Sequence, residues 1–298
     1  MTTPATARPV ERPRPPTPQV GHRLRRRGPL SWFLLAVAVL VAVVMLAPFL
    51  LLVLNSVKSP ADYSSNGPLA WPSTFTFQAW ATYIDGVGYG GVLLNSIVIA
   101  GLVAVIGVVV ALLSSYALGI GRVKGNGAIV GILFFATMLP QEAILYPLFY
   151  AAQAIGLRNT VWSVIIIFSV FQAAFGTYLL SSVLSTFPPA LLEAAALDGA
   201  GRWQILWKIV FPVMRPTMAV LMIFFFVWTW NEFLIPVVML TDPSAQTVPI
   251  ALATLRGQLT LDVTQLAAGS LLSLLPTLVF FLVFQRTLTR GVTAGAVK

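Results

Sequence analysis

Six long apolar runs divide the chain, and prolines, glycines or basic residues collect in the short segments between them. The runs cover residues 30–54, 92–118, 129–151, 161–182, 217–240 and 266–288. A helix needs roughly 20 apolar residues to cross about 30 Å of hydrocarbon at 1.5 Å per residue, so each run is long enough to span a membrane. The pattern predicts an all-α, polytopic membrane protein with six transmembrane helices. Pro140 lies inside the third run, where a missing N–H predicts a kink and freed backbone carbonyls.

Between the fourth and fifth runs the pattern changes over residues 184–216. Ser185 or Thr186 is placed to cap a helix whose first turn holds Pro188 and Pro189, and "LLEAAAL" supplies strong helix formers up to Asp198 and Gly199. After Gly199-Ala200-Gly201, the residues Trp203, Leu206, Trp207 and Val210 recur at helical spacing, predicting the apolar face of a second short helix ended by Pro212. Ala194, Ala195 and Ala196 let another surface come close, and Glu193 and Asp198 are available to charged partners. Two readings are open: an amphipathic hairpin lying on the bilayer, or a docking element for another protein. A short, acidic, alanine-rich helix suits a protein groove better than an anionic lipid surface.

Composition agrees with the runs. Of 298 residues 58% are hydrophobic and 9% charged, against about 25% charged in a soluble domain. The net charge of +9 is carried beside the apolar runs, so it orients a membrane protein rather than binding nucleic acid. With the N-terminus in the cytoplasm, inside segments hold 15 of the 18 Lys and Arg, leaving Lys58, Arg158 and Arg256 outside. Both termini are therefore expected in the cytoplasm. There is no cysteine, and the single His22 sits in a basic tail, so neither a disulfide nor a metal-ligand cluster is expected.

Residues 1–29 hold seven prolines and seven arginines and are expected to form a disordered cytoplasmic tail. Residues 30–288 are expected to form the six-helix transmembrane domain, with the 184–216 loop inside it, and 289–298 a C-terminal cytoplasmic tail. The longest exterior piece, residues 56–91, is rich in Gly, Pro, Ser and aromatics. It reads either as a linker with interfacial anchors at Trp71 and Trp80 or as a docking surface.

"EAAALDGAGRWQILWKIVFP" resembles the EAA motif of bacterial ABC importer permeases. Glu193, Ala194, Ala195, Asp198, Gly199, Ala200, Ile209 and Pro212 fall on the motif, with Phe211 where many members have leucine. "NSIVIAG" (residues 95–101), "MLPQEAILYPLFYAAQAIGLRNT" (138–160), "FFFVWTWNEFLIPVVML" (224–240) and the terminal "QRTLTRGVTAGAVK" are similar to the carbohydrate branch, near the smaller maltose-transport permease. The resemblance covers nearly the whole chain from about residue 30. It implies the type I ABC importer permease fold in a bacterial inner membrane. It also implies a second permease subunit forming a heterodimer, two ATP-binding subunits, and an extracytoplasmic sugar-binding protein. The coupling set would be Glu193, Ala194, Ala195, Asp198, Gly199, Ala200, Arg202 and Pro212.

The chain has no phosphate loop of its own. "GRVKGNGAIVG" (residues 121–131) lacks the Lys-Ser/Thr ending, so ATP and Mg are expected only in the partner ATPase. Its Gly127 and Gly131 are spaced for close helix packing.

Two acids fall inside apolar runs, where an ionisable group costs a few kcal/mol and faces a cavity or partner. Glu142 and Glu232 lie about 13 and 15 residues in from the cytoplasmic side, roughly 20 Å deep. Gln141 neighbours the first; Trp228, Trp230 and Asn231 surround the second. Aromatic faces beside carboxylate and amide groups suit a sugar's C–H face and hydroxyls. These six residues form the expected substrate pathway; the other open reading is structural, with the acids bonded between helices and the tryptophans at the membrane interface. Isolated acids and one tail histidine make no catalytic constellation, and the halves show no repeat of the kind found in ion-driven carriers. A sugar importer permease is expected, with an importer of another solute, such as a phosphodiester, as the alternative and an ion-driven carrier behind it.

Overall fold

The structure is a computed structural model describing residues 29–120, 123–255 and 262–296, with side chains described as far as Thr287. The Pro/Arg-rich segment thus lies outside the described residues except for Pro29, as do Gly121, Arg122 and Arg256. Helix α1 runs Pro29–Ser56. Residues 29–48 form a unit of their own, an apolar helical rod whose side chains are exposed; residues 49–298 form the second unit.

In the second unit α4 (Tyr89–Gly119) and α7 (Val161–Leu184) are the most buried spanning helices, paired along their lengths, and α10 (Phe211–Asn231) packs against both. These helices are apolar on every side, so what selects their inner faces is small and polar residues. A Cβ on Gly176 would lie 2.8 Å from Ala111 Cβ and 3.1 Å from the Phe225 ring, and one on Gly107 would lie 3.2 Å from that ring. Glycine at both positions makes room for Phe225. One turn away, buried Gln172 donates from Nε2 to the Phe225 carbonyl at 3.2 Å and to Thr229 Oγ1 at 2.7 Å, tying α7 to α10.

Two expected spans are broken. The third consists of α5 (Asn126–Thr137) and α6 (Gln141–Ala154), bent 96° from one another. Tight turns from Phe135 to Met138 and from Ala136 to Leu139 close α5, and Pro140, extended at φ −61° and ψ 132°, starts α6. Residue 139 precedes a proline and is steered out of helical conformation, so the expected kink becomes a break. The fifth span stops at Asn231 rather than Leu240; Glu232 is extended, and a separate short helix α11 follows (Leu234–Met239).

Conversely, Pro212 does not end a helix. α8 (Pro189–Leu197) is followed by α9 (Arg202–Ile205), a π-turn over Leu206–Val210, and α10, and the stretch from Arg202 to Asn231 is continuous. In the π-turn Phe211 N–H reaches back five residues to Leu206 O. This wider turn moves the carbonyl that a proline ring would strike, so Pro212 fits in the first turn of α10. Gly127 and Gly131 do not mediate close packing within the chain, since a Cβ on either meets nothing within 4 Å. The last helix, α13 (Val263–Ala296), continues through most of the segment expected as a C-terminal tail.

At the N-terminal end of α4 the connections are pinned. Asn95 Nδ2 donates to the Ser244 and Gln246 carbonyls at 2.8 and 3.1 Å, and Ser96 Oγ accepts Val248 N–H at 2.9 Å. Asn159, in the left-handed region at φ 61°, donates its N–H to Met239 O and accepts Asp242 N–H on its side chain. Helix α12 (Val248–Thr254) closes this end.

Residues 57–88 are a folded cap with α2 (Pro60–Asn66) and α3 (Gln78–Val87). Lys58 is fully buried and donates to the Gly67 carbonyl at 3.0 Å. Asp62 accepts from Asn66 Nδ2 at 2.7 Å and Ser73 N–H at 3.0 Å, and these bonds, the Asn66 one foremost, hold its carboxyl below its ordinary value.

Candidate functional site

The two-helix loop lies beyond the C-terminal end of α4. Proline fixes φ near −65° and suits a first helical turn, and Pro189 begins α8. Ser185 and Thr186 do not cap it; their hydroxyls donate backward to Ser182 O and Val183 O, finishing α7. The far end is a Schellman closure: Ala200 N–H bonds Ala195 O and Gly199 N–H bonds Ala196 O, with Gly199 at φ +75°. Gly199 thus sets a defined turn between the two arms.

The loop divides the expected contact residues. Glu193, Ala194, Ala196 and Asp198 are exposed and Leu197 is 89% exposed, whereas Ala195 is buried and Leu192 packs on the helix core. The outward face of α8 therefore carries the acids and two of the three alanines. In the second arm, Leu206 and Val210 are buried with Ile205 and Ile209 packed beside them, while Trp203 and Trp207 face outward. The inner face is thus made by residues 205, 206, 209 and 210, and both tryptophans lie on the outer side of the arm. Arg202 is exposed, and its carbonyl accepts the Tyr116 hydroxyl at 2.9 Å, fastening the second arm to α4. A cleft of about 350 Å³ opens there between Tyr116, Val123 and Trp203.

The second candidate is the break after α10. The Glu232 carboxylate faces the Trp228 indole and the N–H groups of Phe233 and Leu234, within electrostatic range of Glu142. Glu142 occupies the first turn of α6, where the helix dipole favours an acid, with Gln141 beside it. The helix α11 that follows Glu232 packs against α6, which begins at Gln141 and Glu142. Asn231 binds its own helix at Val227 O (2.7 Å) and lines a different cavity of about 490 Å³, with Phe233 and Ser273. Trp230 is in neither place: it is 2% exposed and stacks on Phe226 within the core.

Residues 105–293 match the family described as binding-protein-dependent transport system inner membrane component. The chain belongs to that family. It is a multi-pass inner-membrane transport subunit rather than an enzyme. It is 30% identical over 262 residues to the melibiose/raffinose/stachyose import permease protein MelC of Bacillus subtilis (strain 168), covering 88% of this chain and 94% of that one. It is 32% identical over 241 residues to the trehalose transport system permease protein SugB of Mycobacterium tuberculosis (strain CDC 1551 / Oshkosh), covering 80% and 88%. Its fold matches a chain in the crystal structure of a bacterial ABC transporter importing the acidic polysaccharide alginate. That match has a TM-score of 0.72 and 22% identity over 86% of this chain and 96% of that one.

Four positioning residues of this permease were not among the expected sites. Tyr116 and the Asn95–Ser96 pair act through backbone carbonyls and N–H groups distant in sequence; no local pattern marks Tyr116, whereas Asn95 and Ser96 open the "NSIVIAG" stretch. Gln172 did carry a signal, as an amide in the middle of the fourth apolar run.

Proposed function

We propose that this chain is one of two permease subunits of an ATP-driven sugar importer, forming half of the translocation pathway. The observation that carries the coupling role is the exposed acidic face of α8, joined through the Gly199 turn to an arm continuous with a spanning helix. Motion imposed on α8 would pass through a rigid turn into α10, and α10 ends at Asn231, next to Glu232. In this reading Glu193, Ala194, Asp198, Gly199, Ala200 and Arg202 form the contact with an ATP-hydrolysing subunit, which holds the ATP and Mg. Ala195 packs the element against the core, and Pro212, exposed in the first turn of α10, completes the set. Both termini lie in the cytoplasm with α8, and the α2–α3 cap lies outside, where the solute-loaded binding protein arrives. Trp228, Glu232, Gln141 and Glu142 line the path, with Asn231 on the adjoining cavity. The sugar assignment is supported by the named substrates of MelC and SugB together with this aromatic and polar break.

Cross-linking tests the contact. Ala194→Cys in the assembled importer should form a disulfide with a cysteine placed in the cleft of the ATPase subunit, at a rate changed by ATP. Equal labelling of Ala194→Cys by a water-soluble maleimide with and without the ATPase subunits would contradict it.

A further inference from the structure

Between Val57 and Gln78 the only charged residues are Lys58 and Asp62, and both are turned into the cap. What the cap presents instead is apolar: Leu69, Trp71, Phe75 and Phe77 are 77%, 74%, 64% and 69% exposed, with the Trp71 and Phe75 rings edge to face at 6.0 Å. Such a patch, uncharged and aromatic, requires a partner. Its level along the bundle is fixed by one bond, Thr76 N–H to Val57 O at 2.9 Å, which holds Phe75 and Phe77 beside the residue that follows α1. Phe49, Leu50 and Val53 on the last turns of α1, within about 12 Å of Val57 along the axis, are exposed as well, so apolar side chains are exposed on both sides of the Val57 junction. The polar side chains Ser64, Ser65 and Asn66 are exposed on α2.

We propose that residues 69–77 are an interfacial anchor, with Leu69, Trp71, Phe75 and Phe77 inserted at the headgroup and acyl boundary of the outer leaflet. Aromatic rings are favoured at that depth, and a surface without charge avoids the cost of burying ions there. The occupant of the patch is lipid rather than a protein. Trp80, the second tryptophan of this segment, is not part of the anchor, since its indole nitrogen is buried.

The chain has no cysteine, so Trp71→Cys and Phe75→Cys are each labelled uniquely with bimane once partner subunits are cysteine-free. Ser65→Cys on α2 is the reference. In lipid nanodiscs carrying the assembled importer, a nitroxide on the lipid chain near the carbonyl should quench the labels at 71 and 75 at least about threefold more than the label at 65. Aqueous iodide should show the reverse order, and adding sugar-loaded binding protein should change neither. Equal access of iodide to all three positions overturns the proposal. So does shielding of positions 71 and 75 from iodide only when the binding protein is added, which would make the patch a protein-docking surface.

Discussion

Replacing Gly199 by valine separates a shaped turn from a loose one. The residue sits at φ +75°, and a Cβ there meets nothing within 4 Å, so the cost at the branch point lies in the backbone. An L-residue in the left-handed region costs roughly 1–2 kcal/mol. That lowers the population of the closed turn about 5- to 30-fold relative to glycine. Asparagine tolerates the same region and should cost much less. The assay is the ratio of sugar imported to ATP hydrolysed in proteoliposomes holding the complete importer. Gly199→Val should reduce that ratio several-fold while leaving membrane insertion and thermal unfolding near wild type, and Gly199→Asn should keep most of it. An unchanged ratio for valine, or equal losses for valine and asparagine, would refute the claim that backbone shape at this turn transmits the stroke.

Other outcomes follow from the packing and the charges. Gly176→Ala must separate α4 from α7, because the new methyl would lie 2.8 Å from Ala111 Cβ. Overpacking of this kind costs about 1–3 kcal/mol, so its thermal midpoint in detergent should fall by several degrees while Gly131→Ala, with open space around it, leaves the midpoint unchanged. The Asp62 carboxyl titrates below 3.8, so its contribution to the cap is complete above that value and is lost as pH falls through the lower folded value. Limited proteolysis of residues 57–78 should therefore stay slow down to about pH 4 and accelerate below it; Asp62→Asn should be cut faster at neutral pH and lose the step. Asn231→Ala should raise the sugar concentration for half-maximal uptake, and an unchanged concentration dependence would assign Asn231 to structure alone.

The spans were legible because their length and apolarity are written residue by residue. Their interruptions were legible only in part. Pro140 marked where the third run bends, but apolar composition is the same on both sides of it, so nothing local distinguished a kink from a 96° turn. The fifth run hid its end at Asn231 for the same reason: "LIPVVM" is as hydrophobic as the helix before it, and the separation of α11 depends on Asn159 reaching Met239 and Asp242 from another loop. In the two-helix loop, helical spacing grouped Trp203 and Trp207 with Leu206 and Val210, but Leu206 and Val210 share the buried face with Ile205 and Ile209, and both tryptophans are exposed. Trp230 looked like its neighbour Trp228 in sequence. The fold sets them apart: Trp230 is buried and stacks on Phe226, while Trp228 is exposed with its ring edge to Phe175.

The central claim is that this permease moves sugar by motion received from an ATPase. Uptake of radiolabelled sugar into proteoliposomes holding this chain, its partner permease and the ATPase subunits tests it most directly. Uptake should require ATP and the sugar-loaded binding protein together, and it should be abolished when the ATPase subunits are omitted. Accumulation driven by an ion gradient without ATP would contradict the account.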